Sequence, residues 1–395
     1  MSGAEPPERN KGVGHIFITG ITGFLAKEVA VRYLKRNPDL KLYGLIRAPD
    51  DDRMETRRLA VLEAMFGDDA PAWNDRVIAV RGNLNEEKLG LSEAARQQIV
   101  ANCSHFIHCG ASVRFDQDLE SARQTNYGGS VRIVELARAV QEGGQLDRID
   151  YVGTSYVAGD RTGIVSEDDL QEGHGWKNSY EQTKWESERH MREVWGDLPV
   201  TIYRPAIIVG DSKTGATSSF NVLYWPIRIF ATGRFPMVIG REETPIDVVP
   251  VDWVSEAMLH ISATDESLGR CYALAAGDRC VRVEQLCNLA SKFFDRPLPR
   301  FVDPDYFWEH MAPEMEKQLA TAAGQLMKNG MQYLPYFANN AIFDTSNTTA
   351  AMEGSGLELP ALPDYFDTLF NWCLESDWGR KKVPPKPRPQ STATT

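Results

Sequence analysis

The sequence predicts an α/β fold built on a doubly wound parallel sheet, because short β-branched runs alternate with helical stretches over its first half. Two further observations sharpen this. The first apolar run ends in a turn of small residues that opens a helix, and a Tyr and a Lys stand four residues apart on a later helical stretch. His15 to Thr19 is the first strand, and the pattern from Phe24 to Arg36 is the first helix. Further strands are expected near Leu42 to Ile46, Val77 to Arg81, His105 to His108, Ile149 to Val152 and Val200 to Tyr203, with helices between them.

After Pro205 the alternation loosens into Gly210 to Ser219, then an aromatic segment with Phe220, Tyr224, Trp225 and Phe230. A strand-like Ile246 to Val249 and a helix from Val251 to Ile261 are expected to return to the sheet. Beyond about Gly277 the chain reads as mainly helical, rich in Phe, Tyr and Trp and broken by prolines, which makes a smaller C-terminal lobe suited to capping a substrate. The division expected is a dinucleotide-binding domain over 11–212 with a returning segment 245–276, a capping lobe from 213–244 and 277–379, and a flexible, basic, Pro-rich tail over 380–395.

Composition narrows the classes of function. Of the 395 residues, 42% are hydrophobic and 25% charged, as in an ordinary globular protein. A net charge of -12, without a basic stripe interleaved with aromatics, argues against a nucleic-acid binder. The six cysteines, Cys103, Cys109, Cys271, Cys280, Cys287 and Cys373, form no CxxC pair and read as reduced structural thiols. Met1 to Lys11 lacks the apolar core of a signal peptide, and no apolar run approaches the length of a transmembrane segment, so a cytoplasmic protein is expected.

The chemistry concentrates at strand ends. Thr19-Gly20-Ile21-Thr22-Gly23-Phe24-Leu25-Ala26 has the small residues of a compact turn, which let the backbone approach a pyrophosphate while the helix N-terminus faces its charge. Arg47 ends the second strand, where an NAD-specific fold places an acid. Its guanidinium suits the 2'-phosphate of NADPH, or it is a solvated strand-end arginine. Asn83 and Leu84 follow the third strand and are expected beside the adenine, and Cys109, Gly110 and Ala111 follow the fourth, lining the cofactor channel. His108 and Cys109 lack a second ligand pair, so no metal is assigned. Thr154 and Ser155 lie just past the fifth strand. Thr154 is read as a donor to a substrate carbonyl, Tyr180 as the proton donor, and Lys184 as the cation beside it that lowers the phenol's pKa and holds the nicotinamide ribose.

With those motifs in place, the chain resembles the extended short-chain dehydrogenase/reductases, whose fold is Rossmann-like. Their glycine turn matches Thr19 to Ala26, and their hydroxyl-Tyr-Lys set matches Thr154, Tyr180 and Lys184. Asn126 looks like the family's helix asparagine, and Tyr203, Pro205, Ala206 and Ile208 look like its segment beside the nicotinamide. Within the group it is most similar to the thioester reductase and fatty acyl-CoA reductase branch. That similarity rests on Thr22 to Ala26 with Leu45 to Ala48, on Tyr203 to Gly215, and on Phe343-Asp344-Thr345-Ser346-Asn347-Thr348.

The resemblance implies NADPH-dependent reduction of an acyl thioester, presented as acyl-CoA or on an acyl-carrier protein, to an aldehyde and in some members onward to an alcohol. Gly153 departs from a frequent Ser, and no adenylation or carrier segment precedes the reductase in this sequence, so the acyl donor is expected from elsewhere. The aromatic segment from Phe220 to Phe230, with Tyr306, Phe307, Trp308, Tyr333 and Tyr336, is expected to form an acyl tunnel or simply to be core. An NADPH-dependent aldehyde or ketone reductase would use the same three residues. A nucleotide-sugar epimerase fits the aromatic lobe less well, and a non-catalytic NADP-binding protein would not require the set.

Overall fold

The computed structural model describes residues 14–144, 146–220, 222–233, 237–313 and 332–383. Seven strands form its central sheet: β1 His15–Thr19, β2 Leu42–Ile46, β3 Val77–Arg81, β4 Cys103–His108, β5 Arg148–Val152, β6 Val200–Pro205 and β7 Arg270–Leu274. Their order is β7-β6-β5-β4-β1-β2-β3, and every neighbouring pair is parallel. The chain winds outward in both directions from β1 and β4, so a crevice opens beyond their carboxyl ends. β2 is buried along its whole length, which explains why Leu42 to Ile46 reads as a continuous apolar run with no alternation.

Helices cover both faces: α1 Phe24–Arg36, α2 Asp51–Phe66, α3 Glu93–Asn102, α4 Leu119–Thr125, α5 Tyr127–Glu142, α6 Ser179–Val194, α7 Tyr224–Ala231, α8 Val251–Ser262, α9 Val283–Phe294, α10 Ser346–Met352 and α11 Leu362–Glu375. One core joins α1 and α8 to the sheet through Val29, Ala30, Val254 and Ala257. The other joins α3 and α5 to the opposite face through Ile99, Ile133 and Ala137. Arg32 on α1 is buried and reaches Glu256 on α8 at 2.9 Å, a tie between two helices far apart in sequence. Asp50 caps α2 by accepting from the Arg53 amide at 2.7 Å, so the Asp50 to Asp52 cluster is a helix start.

The returning segment differs from the sequence expectation. Ile246 to Val249 does not rejoin the main sheet. Pro245–Ile246 pairs with Val281–Arg282, and Val248–Pro250 pairs with Ile207–Val209. Pro245 and Pro250 lack donors for a central position, and the buried Asp247 carboxylate between them accepts from the Ala276 and Gly277 amides at 2.8 Å each. The strand that closes the sheet is β7, after α8. The C-terminal part is helical but also carries short strands, Arg300–Val302 on Met237–Ile239 and Ala341–Phe343 on Gly163–Val165. Its core is a helical stripe, Phe366, Leu369, Phe370 and Cys373 of α11, packed on α7 and α9.

The Phe343 to Thr348 passage has a structural explanation. Glu167, buried, accepts from the Ala273 amide at 2.6 Å, from the Thr348 amide and hydroxyl at 3.2 and 2.7 Å, and from the Asn347 amide. The Asn347 side chain donates to the Cys271 carbonyl at 3.1 Å. The start of α10 is thereby fastened to β7. At the other end, the Arg380 and Lys381 amides donate to Asp377 and Ser376 carbonyls. The expected tail from 384 onward, like residues 1–13, lies outside the described residues. All six cysteines are free; five are buried and Cys109 is half-buried. Among the described residues no helix is long and apolar enough to cross a membrane.

Candidate active site

A cavity of about 820 Å³ occupies the crevice beyond β1, β4, β5 and β6. Gly20 begins its floor with φ +75°, a conformation that costs an L side chain strain, and a Cβ there would lie 2.8 Å from the Gly110 amide nitrogen. The turn after β1 therefore sits directly against the loop after β4. Gly23 donates to the Gly20 carbonyl at 2.7 Å, and α1 starts there with no side-chain cap and no acid in its first turn. Thr22, Gly23, Phe24, Leu25 and Ala26 line the cavity, so this uncapped helix start borders it.

At one end the cavity is lined by Arg47, Asn83 and Leu84, joined by Arg57 of α2, whose guanidinium donates to the Arg47 carbonyl. Both Arg47 and Arg57 are exposed, so two guanidinium groups stand at this rim. Nothing in the spacing of Arg57 marked it, because only the packing of α2 beside the end of β2 brings it here. Cys109, Gly110 and Ala111 form the middle of the wall, and Pro205, Ala206 and Ile208 the side beyond β6.

At the opposite end Thr154, Tyr180 and Lys184 converge. Thr154 leaves β5 in extended conformation and caps a short turn, accepting from the Tyr156 amide at 3.3 Å. Asn178 caps α6 by accepting from the Glu181 amide at 3.0 Å, which fixes the first turn of the helix that carries Tyr180 and Lys184. Lys184, buried, donates to the Val152 carbonyl at 2.7 Å and lies 4.4 Å over the Tyr151 ring. Burial pushes its ammonium down to about 7, against the opposing pull of Cys109 and Glu188.

The Tyr180 phenol behaves differently from the expectation that Lys184 would lower its pKa. Burial pushes it up to about 12, with the hydrogen bond to Thr154 pulling the other way. The Lys184 ammonium is turned toward a backbone carbonyl, so desolvation of the phenol wins. The Tyr180 phenol consequently keeps its proton throughout the neutral range.

Three of the expected residues lie behind the cavity surface. Thr19 is fully buried, accepts from the Gly110 amide at 3.0 Å and bonds His108 at 2.7 Å. His108 is held neutral, pushed down to about 3 by burial. Asn126 accepts from the Ser112 amide at 2.7 Å and donates to the Thr183 hydroxyl at 2.9 Å, so it ties the loop after β4 to α6. Tyr203 faces Asp150 from inside the core, and its carbonyl takes the Gly153 amide at 2.6 Å. Ser155 donates to the Arg204 carbonyl at 2.8 Å and is a backbone cap.

Phe115 is the other residue that the sequence left unmarked. Its ring touches Tyr180 at 5.5 Å, Tyr333 at 5.6 Å and Tyr336 at 5.4 Å, and all four line the cavity. A lone aromatic in the polar stretch Ser112 to Asp118 was the only available signal.

The family described as Male sterility protein, an NAD-binding family, has a model that matches residues 18–258 of this sequence. The chain belongs to this family. It is a nicotinamide-dependent oxidoreductase of the extended short-chain dehydrogenase/reductase group. Over 88% of its length it is 26% identical to the non-canonical nonribosomal peptide synthetase FrzA of Cladobotryum sp, of which it covers 35%. It is 25% identical over 88% of its length to the aldehyde reductase lnaA of Aspergillus flavus, again covering 35% of that protein. The chain thus spans about a third of these curated relatives. The terminal R domain from the myxalamid PKS-NRPS biosynthetic pathway superposes with a TM-score of 0.79 at 25% identity, covering 95% of this chain and 94% of that one. The reductase domain of a nonribosomal peptide synthetase from Mycobacterium tuberculosis has the same fold, with a TM-score of 0.73 at 19% identity and coverage of 95% and 94%.

Proposed function

We propose that this chain reduces acyl thioesters with NADPH, releasing an aldehyde and a free thiol. The observation that carries the reading is the convergence of Thr154, Tyr180 and Lys184 at one end of a cavity whose other end presents Arg47 and Arg57. The residues fit the cofactor: glycines where a Cβ would collide, uncapped amides of α1 for a pyrophosphate, and two guanidinium groups for a 2'-phosphate. When bound, NADPH supplies the hydride for the carbonyl carbon. Thr154 and Tyr180 share a hydrogen bond and present two hydroxyls to the oxygen on which charge develops. Tyr180 gives that oxygen its proton, which forms a hemithioacetal. On collapse the proton returns to the Tyr180 phenolate, the C–S bond breaks, and the sulfur takes a proton from solvent. No covalent bond to the protein is required.

Lys184 is placed to hold the nicotinamide ribose as an ammonium. With a value of about 7, it is charged below neutrality and loses its proton above, so kcat/KM for NADPH should fall as the pH rises through about 7. Lys184→Arg, which stays charged, should remove that limb. A wild-type profile flat across the neutral range would detach Lys184 from cofactor binding.

At the arginine rim, Arg47→Ala is expected to weaken NADPH far more than NADH, by about 1.5–3 kcal/mol, the value of a hydrogen bond to a charged group. Equal weakening of both cofactors would make Arg47 structural. Arg57→Ala is the parallel case, since its guanidinium lies at the same rim.

The activity itself is tested by following NADPH absorbance together with a thiol-trapping reagent, using CoA and carrier-bound thioesters. One NADPH per thiol is expected for an aldehyde product and two for an alcohol. Reduction of aldehydes or ketones with no thiol released from any thioester would replace this reading with a carbonyl reductase.

A further inference from the structure

Lys177 and Glu181 flank Tyr180, one just before the cap of α6 and the other in its first turn. An acid in a first turn ordinarily faces water, where it complements the helix dipole. Here the Glu181 side chain is 0% exposed and that of Lys177 10%, with the ammonium 3.8 Å from Oε1. Burying two charges is costly, so such a pair adds little net stability, and its best-attested use is to fix one arrangement of the parts around it. Those parts come from three segments. The Lys177 ammonium donates to the Gly159 carbonyl, at the end of the turn that Thr154 starts. The Lys177 amide donates to Glu181 Oε2 at 3.0 Å, and the Asn178 side chain donates to the Tyr336 hydroxyl at 3.0 Å. The same ammonium lies 5.8 Å from the centre of the Tyr336 ring. Glu181 Oε1 has no hydrogen-bond partner among the described residues, so it is met by the charge of Lys177. Burial pushes the Glu181 carboxyl up and the Lys177 ammonium down, and the charge of each opposes the shift of the other.

We propose that the Lys177–Glu181 pair is a positioning latch, which locks Tyr336 and the turn after β5 onto the helix start that carries Tyr180. The inference rests on Tyr180 as the proton donor and gives a role to two residues that do not line the cavity. Tyr336 does line it, stacks on Phe115 at 5.4 Å and meets Tyr156 edge-on at 4.8 Å, while Phe115 lies 5.5 Å from Tyr180. A shift of Tyr336 therefore moves the ring that bounds one side of Tyr180. Chemistry at Tyr180 tolerates little of this, since a misplacement of about 1 Å can cost about 10²-fold in rate. The latch works through charge. With Glu181 neutral, Lys177 keeps the Gly159 carbonyl but loses the carboxylate that holds it over the Tyr336 ring, and Tyr336 is left with its bond from Asn178. Arg47 and Arg57 stand at the opposite end of the cavity, so cofactor binding is not involved.

The test uses Glu181→Gln, which keeps the shape and removes the charge, with Lys177→Met, Tyr336→Phe and the double variant Glu181→Gln/Tyr336→Phe. Amide hydrogen exchange by mass spectrometry reads the latch without turnover, through peptides spanning 332–338, where the Tyr336 amide donates to the Tyr333 carbonyl at 3.1 Å. Each single variant is expected to speed exchange there by about tenfold and to leave α9 unchanged. With butyryl-pantetheine each lowers kcat by about tenfold, while the Kd of NADPH moves by less than about twofold. The double variant loses no more than Tyr336→Phe alone, because Glu181 acts through Tyr336. The latch is overturned by unchanged exchange in 332–338, by an equal change in α9, by kcat within about twofold of wild type, or by losses that multiply in the double variant. If Glu181→Gln does not fold, Lys177→Met, Tyr336→Phe and their double variant decide by the same criteria, and failure of all three single variants to fold makes the pair structural and overturns the latch. If wild type turns over no thioester, the reductase reading fails and exchange alone decides: loosening confined to 332–338 upholds the latch, and uniform or unchanged exchange removes it.

Discussion

Tyr180→Phe is expected to lower turnover by about 10² to 10⁴ while NADPH binding stays near wild type, because the change removes the proton donor and little else. The ring remains, so the contact with Phe115 at 5.5 Å survives and the aromatic wall keeps its shape. What is lost is the hydroxyl that bonds Thr154 and, with its pKa pushed up to about 12, carries a proton at every pH in the working range. Thr154 alone then faces the developing oxyanion, and it has no low-energy way to supply the proton. Single-turnover hydride transfer, followed at saturating NADPH, isolates the chemical step from product release. Turnover within a few-fold of wild type would remove Tyr180 from the proposed role, and a loss accompanied by weakened NADPH binding would instead point to damage in the cradle.

The largest stability effect should come from Glu188→Ala, about 3–5 kcal/mol. Glu188 is fully buried one turn after Lys184, and its carboxylate bonds Arg204 at 2.6 and 2.9 Å and Arg192 at 2.9 Å. Burial by itself would raise the carboxyl, but the two guanidinium groups hold it below the usual carboxylate range. Its contribution is therefore present at neutral pH and lost as the pH falls through that lowered value. Removing it leaves the Arg204 guanidinium buried, with the Ser166 and Asp169 carbonyls as its remaining acceptors. Urea unfolding should show a lower midpoint at unchanged slope. A double change, Glu188→Leu with Arg204→Met, should recover much of the loss, since a packed apolar pair carries no uncompensated charge. A loss below about 1 kcal/mol in the single variant would mean that water reaches Arg204.

Much of the candidate site was legible because its residues act through the chain near them. The turn at Gly20 and Gly23 is local: two small residues between a strand and a helix suffice to bring backbone amides to an anion. Tyr180 and Lys184 lie one turn apart, so helical geometry alone places them together. Arg57 was not legible, because an arginine in the middle of a helix becomes a site residue only through where that helix packs. Phe115 was missed for the same reason, since its four-ring cluster draws on three separate segments.

The sequence by itself determined the strand-helix alternation, the small-residue turn at Gly20 and Gly23 and the pairing of Tyr180 with Lys184, because each is written in periods and spacings no longer than one turn or one strand. Tertiary structure decided which strand closes the sheet: Pro245, Asp247 and Pro250 divert the apolar run 246–249 to two short pairings, and β7 takes the edge. It also decided the charge states. Lys184 and Tyr180 are neighbours in any helix, but whether the ammonium faces the phenol or the Val152 carbonyl depends on β5 packing beneath α6. Desolvation then sets both values, and desolvation is a property of everything that surrounds a group, which no spacing along the chain records.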